Sequence, residues 1–183
     1  MSRSLAHPFG VPETAPPRAP VVAVVALGSN LGDRHETLED AVREIARLPL
    51  VDDVRVADPI ESVAVRVGGP DEQAPAYLNS VALVTTRLAP SVLLQMLHGI
   101  EAAHSRERRV RWGDRTLDLD LIAYGDVVSE DAGLRLPHPR AAERDFVLAP
   151  WLTVDPDAVL PGRGPVRDLL AALREPDAPR GSA

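Results

Sequence analysis

An α+β sandwich is the fold class this sequence predicts, on three observations. VVAVVAL over Val21–Leu27 is a continuous, mostly β-branched run, the pattern of a strand buried on both faces. Two segments with apolar residues at helical spacing, one from Arg34 and one from Pro90, lie between strand-like runs. Thr116–Tyr124 alternates leucine with aspartate, as a half-buried strand does.

Taken in order, residues 1–20 are rich in proline and alanine without periodicity and predict a disordered tail. A single domain is expected over 21–174, with a frayed end at 175–183. The first strand runs into Gly28-Ser29-Asn30, read as a turn whose small polar residues can approach a ligand or simply lead into a helix. Asp33 with Glu36 three residues later fits a capping box, and Leu38, Ala41, Val42, Ile45 and Leu48 follow at helical spacing. That helix is expected from Arg34 to Leu48, stopped by Pro49.

A strand from Val54 to Val65, broken near Pro59, comes next, then a loop over Gly68–Pro75. Ala76–Thr86 reads as the third strand. A second helix is expected over Pro90–His104, burying Val92, Leu93, Met96, Leu97 and Ile100. With the strand at Thr116–Tyr124 the order becomes β-α-β-β-α-β, the split pattern of a ferredoxin-like sandwich. A C-terminal extension of short helices follows, one from Pro137 to Arg144 and one over Pro165–Leu173, with apolar packing at Phe146–Trp151 between them.

Composition narrows the function classes. The 183 residues carry a net charge of −7, which argues against a nucleic-acid binder. All 20 basic residues are arginine, so a P-loop lysine is excluded, and no GxxxxGK[ST] occurs. Without cysteine there is no disulfide, zinc–thiolate site or thiol catalysis. No apolar run approaches the ~20 residues of a membrane span, and the N-terminus has no apolar core of a signal peptide. A cytoplasmic, monomeric protein without membrane partners is expected.

The chemistry concentrates in RERRVRWGDRTLDLDLIA, Arg106–Ala123. Asp118 and Asp120 share one face of the strand, and Leu117, Leu119 and Leu121 share the other. Their spacing of roughly 6.6 Å suits a pair of metals about 3.5–4 Å apart, and all-oxygen ligands favour magnesium. A solvated face of the sheet is the alternative for the two acids, and a solvated loop for the arginines. Arg106, Arg108, Arg109, Arg111 and Arg115 can grip phosphate oxygens by forked, charge-assisted hydrogen bonds. Tyr77 and Asn79 are two apart on a strand and face together, so they can read the polar edge of a ring. His138, held between two prolines, is a candidate phosphate contact.

GSNLGDR at 28–34, AYLN at 76–79, IE at 100–101, RWGDRTLDLDL at 111–121 and LPHPRAAERDFVLAP at 136–150 occur in one order. Together they resemble the 6-hydroxymethyl-7,8-dihydropterin pyrophosphokinases of folate biosynthesis, over about Val21 to Leu170. The resemblance implies transfer of pyrophosphate from ATP to the pterin hydroxymethyl group, releasing AMP, with two magnesium ions. It implies Asp118 and Asp120 as magnesium ligands, and Arg106 and Arg115 on the nucleotide phosphates with Arg108 near them. His98, Glu101, Leu121 and His138 would lie on the ATP side. Tyr77, Asn79 and Phe146 would form the pterin pocket, with Arg144 flanking the site and Trp112 on a covering loop. A ferredoxin-like module binding single-stranded RNA is the rival from another class, and a regulatory small-molecule domain is a second. The RNA module would need exposed aromatic residues on central strands, which Val21–Leu27 does not supply.

Overall fold

The computed structural model describes residues 19–62, 64–66, 69–71, 76–105 and 117–175, with the side chains of 64–66, 69–71 and 105 excepted. The expected tails, and Arg106 to Thr116, lie almost wholly outside the described residues.

Strand β1 (Val21–Ser29) is followed by helix α1 (Arg34–Ala46), then β2 (Val51–Val56) and β3 (Ile60–Ser62). A hairpin of β4 (Ala64–Arg66) and β5 (Gly69–Asp71) leads to β6 (Tyr77–Thr86), α2 (Pro90–Ser105) and β7 (Asp118–Tyr124). Beyond these come the hairpin β8 (Ser129–Asp131) and β9 (Leu134–Leu136), a 3-10 turn at Ala141–Glu143 and α3 (Asp145–Val154). Strands β10 (Val159–Leu160) and β11 (Gly164–Pro165) and helix α4 (Val166–Arg174) close the described chain.

The main sheet has the order β2-β6-β1-β7, every pair antiparallel, with β3 extending the pairing along β6. The double burial expected of β1 follows from its central place. Ala23, Val25 and Leu27 pack into one core with Leu38, Ala41 and Ile45 of α1 and Leu93, Leu97 and Ile100 of α2. Val24 and Ala26 point the other way, into a second core with Val147, Leu148 and Trp151 of α3 and Val166 and Leu170 of α4. In β7, Leu119 and Leu121, with Leu117 before the strand, join the first core. Asp118 and Asp120 therefore emerge on the α3 face.

The Asp33 side chain caps α1 by accepting from the Glu36 amide at 3.0 Å, which satisfies one orphan donor of the first turn. The structure corrects several boundaries. Gly28 and Ser29 are part of β1, not of the turn, and α1 ends at Ala46. The strand expected over Val54–Val65 is three, because Ala57, Asp58 and Pro59 break the ladder and the chain re-pairs as β3 and then folds back as β4. Part of the expected 68–75 loop is β5. Val92, expected in the core, is 37% exposed, since the buried stripe of α2 runs through Leu93, Leu97 and Ile100.

The largest departure is α3. Phe146–Trp151 is not merely apolar packing but the body of a ten-residue helix that contains Pro150. The short helix expected from Pro137 shrinks to the 3-10 turn. No helix of the described residues is long and apolar enough to cross a membrane.

Candidate active site

The α3 face of the sheet carries a cavity of about 330 Å³. Its floor is set by register: Gly28 of β1 pairs with Asn79 of β6 on one side and with Asp118 of β7 on the other. Ala26 pairs with Asp120 in the next row but one. Small residues on the central strand keep that floor low. A Cβ added at Gly28 would lie 3.3 Å from Asn79 Oδ1 and 3.9 Å from the Tyr77 ring. Neighbouring strands are about 4.8 Å apart, so the Tyr77–Asn79 wall and the aspartate wall stand roughly 9–10 Å apart at the backbone.

Tyr77, Asn79 and Ser62 line the first wall, Asp118 and Asp120 the second, and Arg140, Glu143, Arg144, Phe146 and Val147 the side built by the 3-10 turn and α3. Asn79 is almost fully buried, and its Nδ2 donates to Ser62 Oγ at 2.7 Å. That bond fixes the amide, leaving Oδ1 above Gly28. The Arg144 guanidinium donates to Asp120 Oδ2 at 2.7 Å and lies 5.8 Å from the centre of the Phe146 ring. One arginine thus links an acid and an aromatic ring across the cavity.

His138 approaches the same carboxylate, with Nε2 3.9 Å from Asp120 Oδ2. Its backbone N–H donates to Ile122 O at 2.8 Å, and its Nδ1 accepts from the Arg140 amide at 3.2 Å. In the neutral ring the proton therefore sits on Nε2, toward Asp120. Burial pushes the His138 pKa below its ordinary value; Asp120 opposes the shift and Arg144 adds to it.

Of the residues singled out from sequence, Tyr77, Asn79, Asp118, Asp120, Arg144 and Phe146 share this one cavity. His138 adjoins it through Asp120 and lines a neighbouring cavity of about 400 Å³. Glu101 lies elsewhere: its Oε1 accepts from the Leu119 amide at 2.7 Å, at the outer edge of β7 between the two aspartates. Leu121 is buried in the α2-side core, so its side chain does not reach the cavity. His98 is exposed on α2 and does not line it either. Arg106, Arg108, Trp112 and Arg115 lie outside the described residues.

Sequence reasoning missed Ser62, Arg140 and Glu143. Ser62 falls within the strand expected after the break at Pro59, but its pairing with Tyr77 has no local signal in the sequence. A larger cavity of about 410 Å³ lies on the opposite face of the sheet, between α1 and β2. Its walls are mainly apolar, and none of the candidate residues reaches it.

Residues 24–156 match the family model of 7,8-dihydro-6-hydroxymethylpterin-pyrophosphokinase (HPPK). The chain belongs to this family. It is 39% identical to the 2-amino-4-hydroxy-6-hydroxymethyldihydropteridine pyrophosphokinase of Pseudomonas aeruginosa, over 81% of this chain and 89% of that protein. It is 37% identical to the enzyme of the same name from Haemophilus influenzae, over 82% and 91%.

Among solved structures the HPPK fold recurs in an HPPK-DHPS protein in complex with substrates, with a TM-score of 0.59 at 10% identity. That match covers 84% of this chain and 43% of the other. Wild-type Plasmodium falciparum HPPK-DHPS gives a TM-score of 0.61 at 12% identity, over 84% and 41%. The chain spans less than half the length of these solved chains. The HPPK match includes every residue that lines the cavity.

Proposed function

We propose that this HPPK-family chain transfers pyrophosphate from ATP to the hydroxymethyl group of 6-hydroxymethyl-7,8-dihydropterin, releasing AMP, as a step of folate biosynthesis. One observation carries the reading. A single cavity sets two carboxylates on β7 against an aromatic and amide wall on β6, with an arginine beside them. A flat, hydrogen-bonding ring suits the Tyr77, Asn79 and Phe146 side. A triphosphate suits the Asp118, Asp120 and Arg144 side.

The donor set fits magnesium. Asp118 and Asp120 are hard oxygen ligands on one face of β7 at the cavity wall. Magnesium is commonly held by one or two carboxylates plus substrate phosphates, so a dedicated cage is not required. Among the described residues no cluster of three or more such ligands exists. Asp118 and Asp120 would hold two magnesium ions, which when bound supply neutralisation of the triphosphate charge.

In the transfer the pterin hydroxyl oxygen bonds to the β-phosphorus of ATP. The bond from that phosphorus to the oxygen bridging it to the α-phosphorus breaks, and that oxygen leaves with AMP. The hydroxyl proton passes to solvent. The chain's own residues bind and orient: Tyr77 and Phe146 hold the ring, and Asn79 Oδ1 accepts from its polar edge. Arg144, steadied on Asp120, offers positive charge to the phosphates. Arg106, Arg108 and Arg115 are assigned to the nucleotide phosphates, and Trp112 to the cover over the substrates, on sequence grounds. Catalysis is then placement and electrostatics.

The sheet order β2-β6-β1-β7 and the α1–α2 layer on one face support a ferredoxin-like frame. The reading extends to a cytoplasmic monomer, where ATP is at hand. Chromatography of the nucleotides tests the proposal. AMP should form from ATP only when both Mg²⁺ and the pterin are present. AMP formation without the pterin, or none with all three components, would reject it.

A further inference from the structure

We infer that Arg34 is a positioning residue for the pterin side of the cavity, acting on Ser62 and Tyr77 without lining the cavity itself. This rests on the function proposed above. Arg34 opens α1, and the Asp33 cap fixes the backbone there. From that point the guanidinium forks. Its Nη1 donates to the backbone carbonyl of Ala76 at 2.8 Å, and its Nη2 to Glu61 Oε1 at 2.8 Å.

Each acceptor is one residue from the cavity. Glu61 precedes Ser62, and Ala76 precedes Tyr77. Ser62 and Tyr77 face each other as the last pair of the β3–β6 ladder. Ser62 in turn holds the Asn79 amide. The fork thus fastens the end of a three-residue strand, cut off from β2 by Pro59, to the helix behind it.

The two arms differ in weight. Glu61 is 64% exposed at its side chain, so the ion pair itself contributes little. Ala76 is half-buried and its carbonyl takes a charge-assisted bond, which is the stronger restraint. Lysine cannot reproduce the fork, because its ammonium is a single compact donor group.

Steady-state kinetics of Arg34→Ala, Arg34→Lys and Glu61→Gln, with both substrates varied, test this. Arg34→Ala should raise KM for the pterin about tenfold while KM for ATP stays within twofold and the melting temperature falls only slightly. Arg34→Lys should lie between, and Glu61→Gln should stay near wild type. An unchanged pterin KM in Arg34→Ala, or equal rises in both KM values, would overturn the inference. Should wild type form no AMP, the function proposed above fails, and calorimetric binding of the pterin alone decides the role of Arg34. A tenfold weaker affinity in Arg34→Ala then supports it, and an unchanged affinity overturns it.

Discussion

The Arg144 guanidinium and the Asp120 carboxylate are joined at 2.7 Å, with the arginine side chain 19% and the aspartate 30% exposed. The pair stands at the wall of the cavity, and the carboxylate is one of the two proposed above to hold magnesium. A cation entering there meets a guanidinium already in place. The two positive groups must share Asp120 or compete for it.

Arg144→Ala should therefore tighten binding of Mg²⁺ to the nucleotide-free protein, by up to about fivefold if the pair is worth what partly exposed pairs usually are. Calorimetric titration with Mg²⁺ reads this directly. Turnover should fall at the same time, because the phosphates lose a fixed positive charge. Weaker Mg²⁺ binding in the variant would contradict the competition.

Replacing Asp118 or Asp120 by alanine should lower kcat by about a thousandfold or more, several kcal/mol of transition-state stabilisation. Circular dichroism should show the fold retained, since both side chains lie at the cavity and not in either core. Wild-type rates in both variants would remove the carboxylates from the chemistry.

Gly28→Ala would add a methyl group to the cavity floor, 3.3 Å from Asn79 Oδ1. Asn79 is held by Ser62 and can give way only by straining that bond. Pterin KM should rise several-fold, with ATP KM little changed. The comparison needs only the two substrate titrations.

His138 sets a pH dependence in the metal-free protein. Its folded pKa lies below the ordinary value of 6.5 because it is buried. As pH falls below that value the unfolded chain takes up the proton first. Stability should therefore decline from about pH 6.5 down through the folded pKa and then level off. Urea midpoints between pH 7.5 and 5 would show this, and His138→Gln should flatten that part of the curve.

Gly99 lies inside α2, and a Cβ there would meet nothing within 4 Å. Gly99→Ala should stabilise the protein by about 1 kcal/mol, a rise in Tm of roughly 2–4 °C. Scanning calorimetry measures it.

Much of the site was legible because strands alternate. The faces of Asp118 and Asp120, and of Tyr77 and Asn79, follow from period two once each strand is found. The buried run of β1 supplied the sheet's centre. Helix α3 escaped because it is apolar on more than one side and carries Pro150, which reads as a breaker. Ser62 escaped because its partner lies 17 residues away across a ladder that no local pattern announces. The resemblance places Leu121 on the ATP side, and its own alternation sends the side chain into the core.

The row from Asn79 through Gly28 to Asp118 crosses three adjacent strands. Backbone hydrogen bonds, not side-chain adjustment, act as the ruler between the two halves of the cavity. Changes in surrounding loops can alter who enters and how fast, but the gauge between the two walls is cast into the sheet itself.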